Sequence, residues 1–265
     1  MATKTEHEIR TTEGWVPNEA TNRIMGRVDA GAFVQDLDWE AEIKRFAPLP
    51  EIPNYVRSSI HGLEGGYGTS FSAATWDAVV REIFNEYIGD EQTYRELLPS
   101  TVPITPLRVL DVACGTGEST LAWHRRFPDA HITAVDVSPY MLVVAGQKMR
   151  PEPLIDVRAA NAEALPFEDA SFDAVTASLL FHELPADVSP RVLAEMRRVV
   201  KSDGWIAVVE PYRVGAPALK PIPFPEPYLR DFLQTDWDDA FRAAGFTDVR
   251  VLDHENGWMR AARAA

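Results

Sequence analysis

From Leu107 onward, short runs of β-branched and aliphatic residues alternate with stretches whose apolar positions recur every three to four residues. The runs Leu107–Val112, Ile132–Val137, Ile155–Ala159, Phe172–Ser178 and Trp205–Glu210 are apolar on both faces, as strands buried between two helix layers must be. Between them, Glu118–Arg126, Pro139–Met149 and Pro190–Val200 carry helical periodicity. Ser138 before Pro139 and Ser189 before Pro190 each set a side-chain acceptor ahead of a proline at the first helical position, which opens a helix well. Such alternation predicts a doubly wound α/β sheet.

The tail departs from that rhythm. A proline-rich stretch, Pro221 to Pro227, leads to a helix expected from near Thr235 and closed by Gly245. The runs Thr247–Leu252 and Gly257–Ala262, joined around Glu255-Asn256-Gly257, predict an antiparallel hairpin at the sheet edge. With the five core strands, the expected fold is α/β: a doubly wound, mostly parallel seven-stranded sheet ending in an antiparallel hairpin.

Upstream of residue 70, Pro17, Pro48, Pro50 and Pro53 interrupt short apolar clusters, and glycines follow at 62, 65, 66 and 68. Loops and short helices are expected there, with the first dozen residues mobile. An amphipathic helix is then predicted over Ser72–Tyr87, because Trp76, Val79, Val80, Ile83, Phe84 and Tyr87 form one continuous stripe. A shorter helix around Glu91–Leu98 precedes the Pro103–Pro106 linker. The chain thus divides into an extension over 1–106, suited to act as a lid, and a core over 107–265.

Composition narrows the function. The 265 residues carry a formal charge of −14, spread along the chain, which disfavours nucleic acid or anionic membrane as the main partner. Arg125–Arg126 and Arg197–Arg198–Lys201 fall on predicted helices and read as solvated faces. Cys114 is the one cysteine, so no disulfide framework exists, and no CxxC or Cys/His cluster suggests zinc ligands; no metal is expected. Met1 to Arg10 lacks the apolar segment of a signal peptide, and no run approaches the length of a membrane span, so a cytoplasmic protein is expected.

The chemistry lies at the strand ends. The first strand runs into Asp111-Val112-Ala113-Cys114-Gly115-Thr116-Gly117, a turn whose glycines let a ligand approach the main chain. A dinucleotide seat would want a third glycine where Thr120 stands, and Asp111 suits a cationic ligand better than a pyrophosphate. Asp136 closes the second strand about twenty residues on, where a carboxylate can hold a ribose diol. It could also serve only to cap the helix that follows. Cys114 reads as a small turn filler, with no basic neighbour in sequence to activate it.

In combination, four ordered segments resemble the class I S-adenosylmethionine (AdoMet) dependent methyltransferases, in their small-molecule branch. They are Leu110 to Gly117, Val135 to Leu142, Asn161 to Phe167 and Ser171 to Val175, within a stretch of about 107 to 210. The resemblance implies AdoMet as cofactor and assigns roles. Cys114, Gly115 and Gly117 would flank its methionine part and ribose, with Asp111 near the cationic end. Asp136 would hold the ribose hydroxyls, and Val137 and Met141 would pack on adenine. Asn161 would bond the adenine amino group and the Ala162 N–H a ring nitrogen. The carbonyls near Ser178–Leu179 would meet the methionine ammonium. Many relatives carry Asp at the position of Asn161, whose side-chain carbonyl keeps the acceptor.

The acceptor site is less legible. His182-Glu183 follows the fourth strand on the ligand side of the sheet, and His182 has the ordinary pKa of a proton carrier, with Glu183 to orient it or act alone. A structural His-Glu pair is the competing reading. His61, Glu64 and Tyr67 in the glycine-rich segment, and Tyr212 past the fifth strand, are candidates to touch the acceptor. The leading expectation is a methyltransferase acting on O, N or C of a small metabolite, as in natural-product biosynthesis, with a homodimer left open. A nicotinamide oxidoreductase on a similar sheet and a non-catalytic AdoMet-binding protein are the alternatives.

Overall fold

The computed structural model describes residues 37–58, 60–61, 63–83, 91–211, 226–254 and 257–265. Strands β1 (Arg108–Val112), β2 (His131–Asp136), β3 (Ile155–Ala159), β4 (Phe172–Ser178), β5 (Val200–Glu210), β6 (Phe246–His254) and β7 (Gly257–Ala264) form one seven-stranded sheet ordered β3-β2-β1-β4-β5-β7-β6. The five from β1 to β5 pair in parallel; β7 runs antiparallel to both β5 and β6. The hairpin strand that meets the core is therefore the last one, and β6 is left at the edge. The chain order turns back beside β1, between β2 and β4, and a doubly wound sheet opens its ligand crevice beyond the carboxyl ends of the strands at such a point.

The central strands form because both their faces find apolar cover, whereas β3, expected to be covered on both faces, lies at the edge with Asp156 and Arg158 exposed. Val109, Leu110 and Val112 of β1 and Ala174, Val175 and Ala177 of β4 are fully buried. One core face gathers Leu110, Val175, Ile206, Phe181, Leu193 and Met196. The other gathers Val109, Ile132, Trp123, Val79, Val80 and Ile83. Each fully buried aliphatic side chain contributes about 1.5–3 kcal/mol relative to exposure.

Between the strands lie α4 (Glu118–Arg126), α5 (Pro139–Met149) and α6 (Ser189–Val199). Ser138 caps α5 as expected, its hydroxyl accepting the Met141 N–H at 3.3 Å. Ser189 does not cap α6: the helix already includes it, and Val188 precedes it without a side-chain cap bond. The Pro185 carbonyl accepts the Val188 N–H, so the turn before Ser189 closes through backbone alone. Lys201, expected on that helix, belongs to β5, which begins at Val200.

Before the core, α1 (Trp39–Lys44), α2 (Ser70–Ile83) and α3 (Glu91–Leu97) pack against it. Helix α2 starts two residues earlier than its stripe suggests, because the Thr69 hydroxyl accepts the Ser72 N–H at 3.1 Å. Phe84 and Tyr87 lie outside the described residues, as do the first dozen residues and Tyr212. The helix expected from near Thr235 and closed by Gly245 is α8 (Trp237–Ala243), and an unexpected helix, α7 (Leu229–Gln234), precedes it. Asp236 separates them and caps α8 through the Asp239 N–H at 3.1 Å.

Candidate active site

At the carboxyl ends of β1, β2 and β4 the structure opens a chamber. The turn after β1 gives it Ala113, Cys114, Gly115 and Thr116; Asp136, Val137 and Met141 follow β2; Asn161 and Ala162 follow β3; Ser178, Leu179 and Glu183 follow β4. Tyr55, Tyr67, Trp76 and Arg95 close it from the extension. Ala113 and Leu179, at the ends of the two central strands, both hold left-handed backbone, φ 55° and 60°. Such strain, about 1–3 kcal/mol per residue, persists where the surrounding fold over-determines it.

Gly115 also has positive φ, 54°, and a Cβ there would point into the space beneath Trp76, whose Nε1 is 3.9 Å away. Gly117, φ 91°, stands at the start of α4, where a Cβ would collide with Met149. Asp136 is anchored from two sides: Oδ2 accepts the Gly115 N–H at 2.9 Å and Oδ1 the Ser138 N–H at 2.8 Å. Burial raises its pKa, and these backbone donors oppose the rise.

Asp111 lies behind the turn, fully buried, with Oδ2 accepting from the Ser119 and Thr120 hydroxyls at 2.8 and 2.6 Å. Thr120 thus binds a carboxylate where a dinucleotide fold would place its third glycine. Oδ1 of Asp111 has no hydrogen-bond partner among the described residues. Desolvation lifts this carboxyl from 3.8 to about 6.

A second cluster closes the other end. The Glu183 Oε1 accepts from the Tyr67 hydroxyl at 2.6 Å and faces His61 Nε2 at 2.6 Å and His182 Nε2 at 3.4 Å. Burial opposes the charge on His61, yet Glu226 and Glu183 outweigh it and hold its pKa at about 10. His182 is raised likewise against burial, chiefly by Glu210, whose Oε2 lies 2.5 Å from its Nδ1. Burial would raise Glu183, but the two imidazoles hold it far below the usual carboxylate range. Burial and the Glu183 charge keep the Tyr67 phenol protonated, hence a donor.

Residues 110–208 match the family described as a methyltransferase domain. The demethylmenaquinone methyltransferase of Listeria monocytogenes is 29% identical over 176 aligned positions, taking in 56% of this chain and 73% of that one. The enzyme of the same name from Renibacterium salmoninarum is 41% identical over 126 residues, 46% of this chain and 49% of that one. An AdoMet-dependent methyltransferase structure from Aquifex aeolicus superposes with a TM-score of 0.57 at 18% identity, covering 74% of this chain and 99% of that one. This part of the chain is a methyltransferase domain, on the fold of the class I enzymes. It uses AdoMet to methylate a small molecule.

The chamber of this methyltransferase fits that cofactor on its own evidence. It offers a carboxylate pre-held by two N–H groups at the end of β2, and open space where Gly115 lacks a Cβ. The buried Asp111 Oδ1 has an acceptor to spare.

Of the residues singled out in sequence, Cys114, Gly115, Asp136, Val137, Met141, Asn161, Ala162, Leu179, Tyr67 and Glu183 line the chamber together. Gly117 and Asp111 shape the turn from behind. Asn161 Oδ1 already accepts the Glu163 N–H at 2.9 Å, so only a second lone pair is left for a ligand. Burial and the charges of Asp136 and Asp111 raise the Cys114 thiol far above its usual range, consistent with an inert filler.

His182 and His61 sit behind Glu183, off the chamber wall, and Glu64 is exposed. Sequence reasoning missed Arg95, Trp76 and Tyr55. Arg95 reaches the end of β4, its Nη1 3.4 Å from Ser178 Oγ. Trp76 was visible as part of an apolar stripe, but its place over Gly115 depends on how α2 docks. No helix among the described residues is long and apolar enough to cross a membrane.

Proposed function

We propose that the wall from Gly115 to Asn161 holds AdoMet and that the acceptor enters between Glu183 and the aromatic cap. The observation that carries this reading is Asp136, on the chamber wall and fixed by Gly115 and Ser138 N–H groups. Its remaining lone pairs accept a ribose diol, Val137 and Met141 cover the adenine, and the Ala162 N–H meets a ring nitrogen. Asp111 offsets positive charge from behind the turn. Leu179 turns its backbone toward the methionine ammonium, and Arg95 stands at the end of β4 for the methionine carboxylate.

The cofactor supplies a sulfonium methyl electrophile; the chain orients the nucleophile and excludes water. Tyr67 stacks edge-on against Trp76, ring centroids 4.9 Å apart, and its hydroxyl holds Glu183. The extension thus works as a lid. Its aromatic and aliphatic lining favours a flat, largely apolar acceptor carrying one reactive O, N or C atom. Two of the relatives above are named for methylating demethylmenaquinone, a precedent for that class of acceptor.

Glu183, held ionised, accepts a hydrogen bond from the acceptor and orients its lone pair. Because His182 already faces Glu210 and Glu183 and is held charged, it acts on Glu183 and not as a free base. Replacing Glu183 by Gln should lower kcat about 10- to 100-fold, the worth of one hydrogen bond to a charged group, with affinity for S-adenosylhomocysteine (AdoHcy) nearly unchanged. Transfer of labelled methyl to a panel of phenols, quinols and amines measures it; a wild-type rate in Glu183→Gln would remove Glu183 from the reaction.

A further inference from the structure

Two histidines far apart in the chain point at one carboxylate oxygen. His61 lies in the extension and His182 after β4, yet both present Nε2 to Glu183 Oε1, at 2.6 and 3.4 Å. Each ring is backed at Nδ1 by a second buried carboxylate: Glu226 at 2.9 Å from His61 and Glu210 at 2.5 Å from His182. A carboxylate behind an imidazole is the usual way a metal-ligating histidine is oriented, because it fixes the N–H on the far nitrogen and leaves the near one free to coordinate. Here the device occurs twice, around a single glutamate that itself receives a Tyr67 hydrogen bond.

We propose that His61, His182 and Glu183 form a binding site for a divalent transition-metal ion of Zn²⁺ type, with Glu226 and Glu210 orienting the two imidazoles. The candidate ligand atoms, with that of Glu226, lie within 4.8 Å of one another. A tetrahedral ion with bonds near 2.0–2.1 Å sets its ligand atoms about 3.3 Å apart. The His182–Glu183 pair already has that spacing, and the His61–Glu183 pair has to open by about 0.7 Å to reach it. Two imidazoles and a carboxylate suit zinc or another late first-row ion better than magnesium or calcium, which take oxygen ligands.

Burial supports a ligand here. Glu226 is 2% exposed, and neither of its carboxylate oxygens has a well-formed hydrogen bond from the described residues beyond its ion pair with His61. Three protein ligands leave one position open, the arrangement of working zinc sites as opposed to structural ones. Because Glu183 also lines the chamber, an anionic oxygen or sulfur of the acceptor is the group that would complete the shell. An ion at the two Nε2 atoms takes the place of the protons that otherwise tie the rings to Glu183. Residues 61, 182–183 and 226 are too far apart in sequence to form a ligand motif.

The site is tested on the full-length protein after chelator treatment, by titration with Co²⁺ followed in the visible and by competition with Zn²⁺. One equivalent of Co²⁺ should bind at micromolar protein, with the ligand-field bands of a low-coordinate site, and Zn²⁺ should abolish them. His61→Gln and His182→Gln should each weaken binding at least about 100-fold, and Glu226→Gln by about 10- to 100-fold. AdoHcy titration of the same samples confirms that each variant is folded and judges the cofactor assignment separately. Absence of a stoichiometric Co²⁺ complex in the wild type, or one of unchanged affinity in Glu226→Gln and in whichever histidine variants still bind AdoHcy, would overturn the proposal.

Discussion

Asp111 and Asp136 close adjacent strands, and their surroundings give them different work. Asp136 meets two backbone N–H groups on the chamber wall; Asp111 is sealed behind the turn with one oxygen unpartnered. Folding raises the Asp111 pKa from 3.8 to about 6, because desolvation outweighs the Ser119 and Thr120 hydroxyls. A raised folded pKa means the native state holds the proton more tightly than the unfolded chain. The associated stability is present below about pH 4 and is lost as pH rises through 6, in total about 3 kcal/mol. Asp111→Asn should therefore gain on the wild type by about that amount between pH 4 and pH 7.5, as urea unfolding at both pH values would record. An unchanged difference between the two proteins would mean that Asp111 is not buried in its charged form.

At this scale the chamber wall after β1 and β2 was legible, and the partners of His182 and Glu183 were not. Gly115 and Asp136 declare themselves by residue type at fixed spacing after a strand, because the turn and the strand end are local structure. The setting of His182 depends on Glu210, 28 residues away, and Glu183 meets His61 across 122 residues. No local spacing carries such partners, so a proton carrier and a structural His-Glu pair both stayed open for His182, which the structure encloses.

Among elements, the decisive joint is between α2 and the turn after β1. Asp77 of α2 accepts from Thr116 Oγ1 at 2.5 Å and from Lys148 of α5 at 2.5 Å, and Lys148 also reaches Glu118 of α4 at 2.6 Å. This network ties the cap to the glycine turn, while Val79, Val80 and Ile83 supply the apolar contact. Asp77→Ala should loosen the docked cap by about 1–2 kcal/mol, since the network is partly solvated. Amide exchange across residues 70–83 should then quicken by about tenfold or more, with the β1–β4 amides unaffected. Exchange at the wild-type rate would show that the apolar stripe alone fixes the cap.

The central strands and the helices α4 and α5 were readable from their hydrophobic period, with the Ser138 cap agreeing at α5. Element ends failed where the backbone closes the turn without the side chain, as at Ser189. Helix α7 was missed because the proline-rich stretch before it hides the start of its short apolar run. Position in the sheet was beyond reach: nothing local says that β7, and not β6, pairs with β5.

For the whole molecule, the sheet order and the charge matter most. The order β3-β2-β1-β4-β5-β7-β6 brings four loops to one end, and the extension covers them, so the chamber is a product of topology. The chain as a whole carries a formal charge of −14. Self-repulsion of that size is screened by salt, so Tm should rise by a few degrees between about 10 and 150 mM NaCl, in a thermal melt at pH 7.5. A falling Tm would mean that surface ion pairs outweigh the net repulsion.

In the proposed function, AdoMet is held in this chamber by the carboxylate at the end of β2. Isothermal titration of AdoHcy into wild type and Asp136→Ala tests it most directly. One site per chain is expected in the wild type, with a Kd at least about tenfold weaker in the variant from the loss of hydrogen bonds to a charged acceptor. Absence of binding in the wild type, or equal affinity in both proteins, would contradict it.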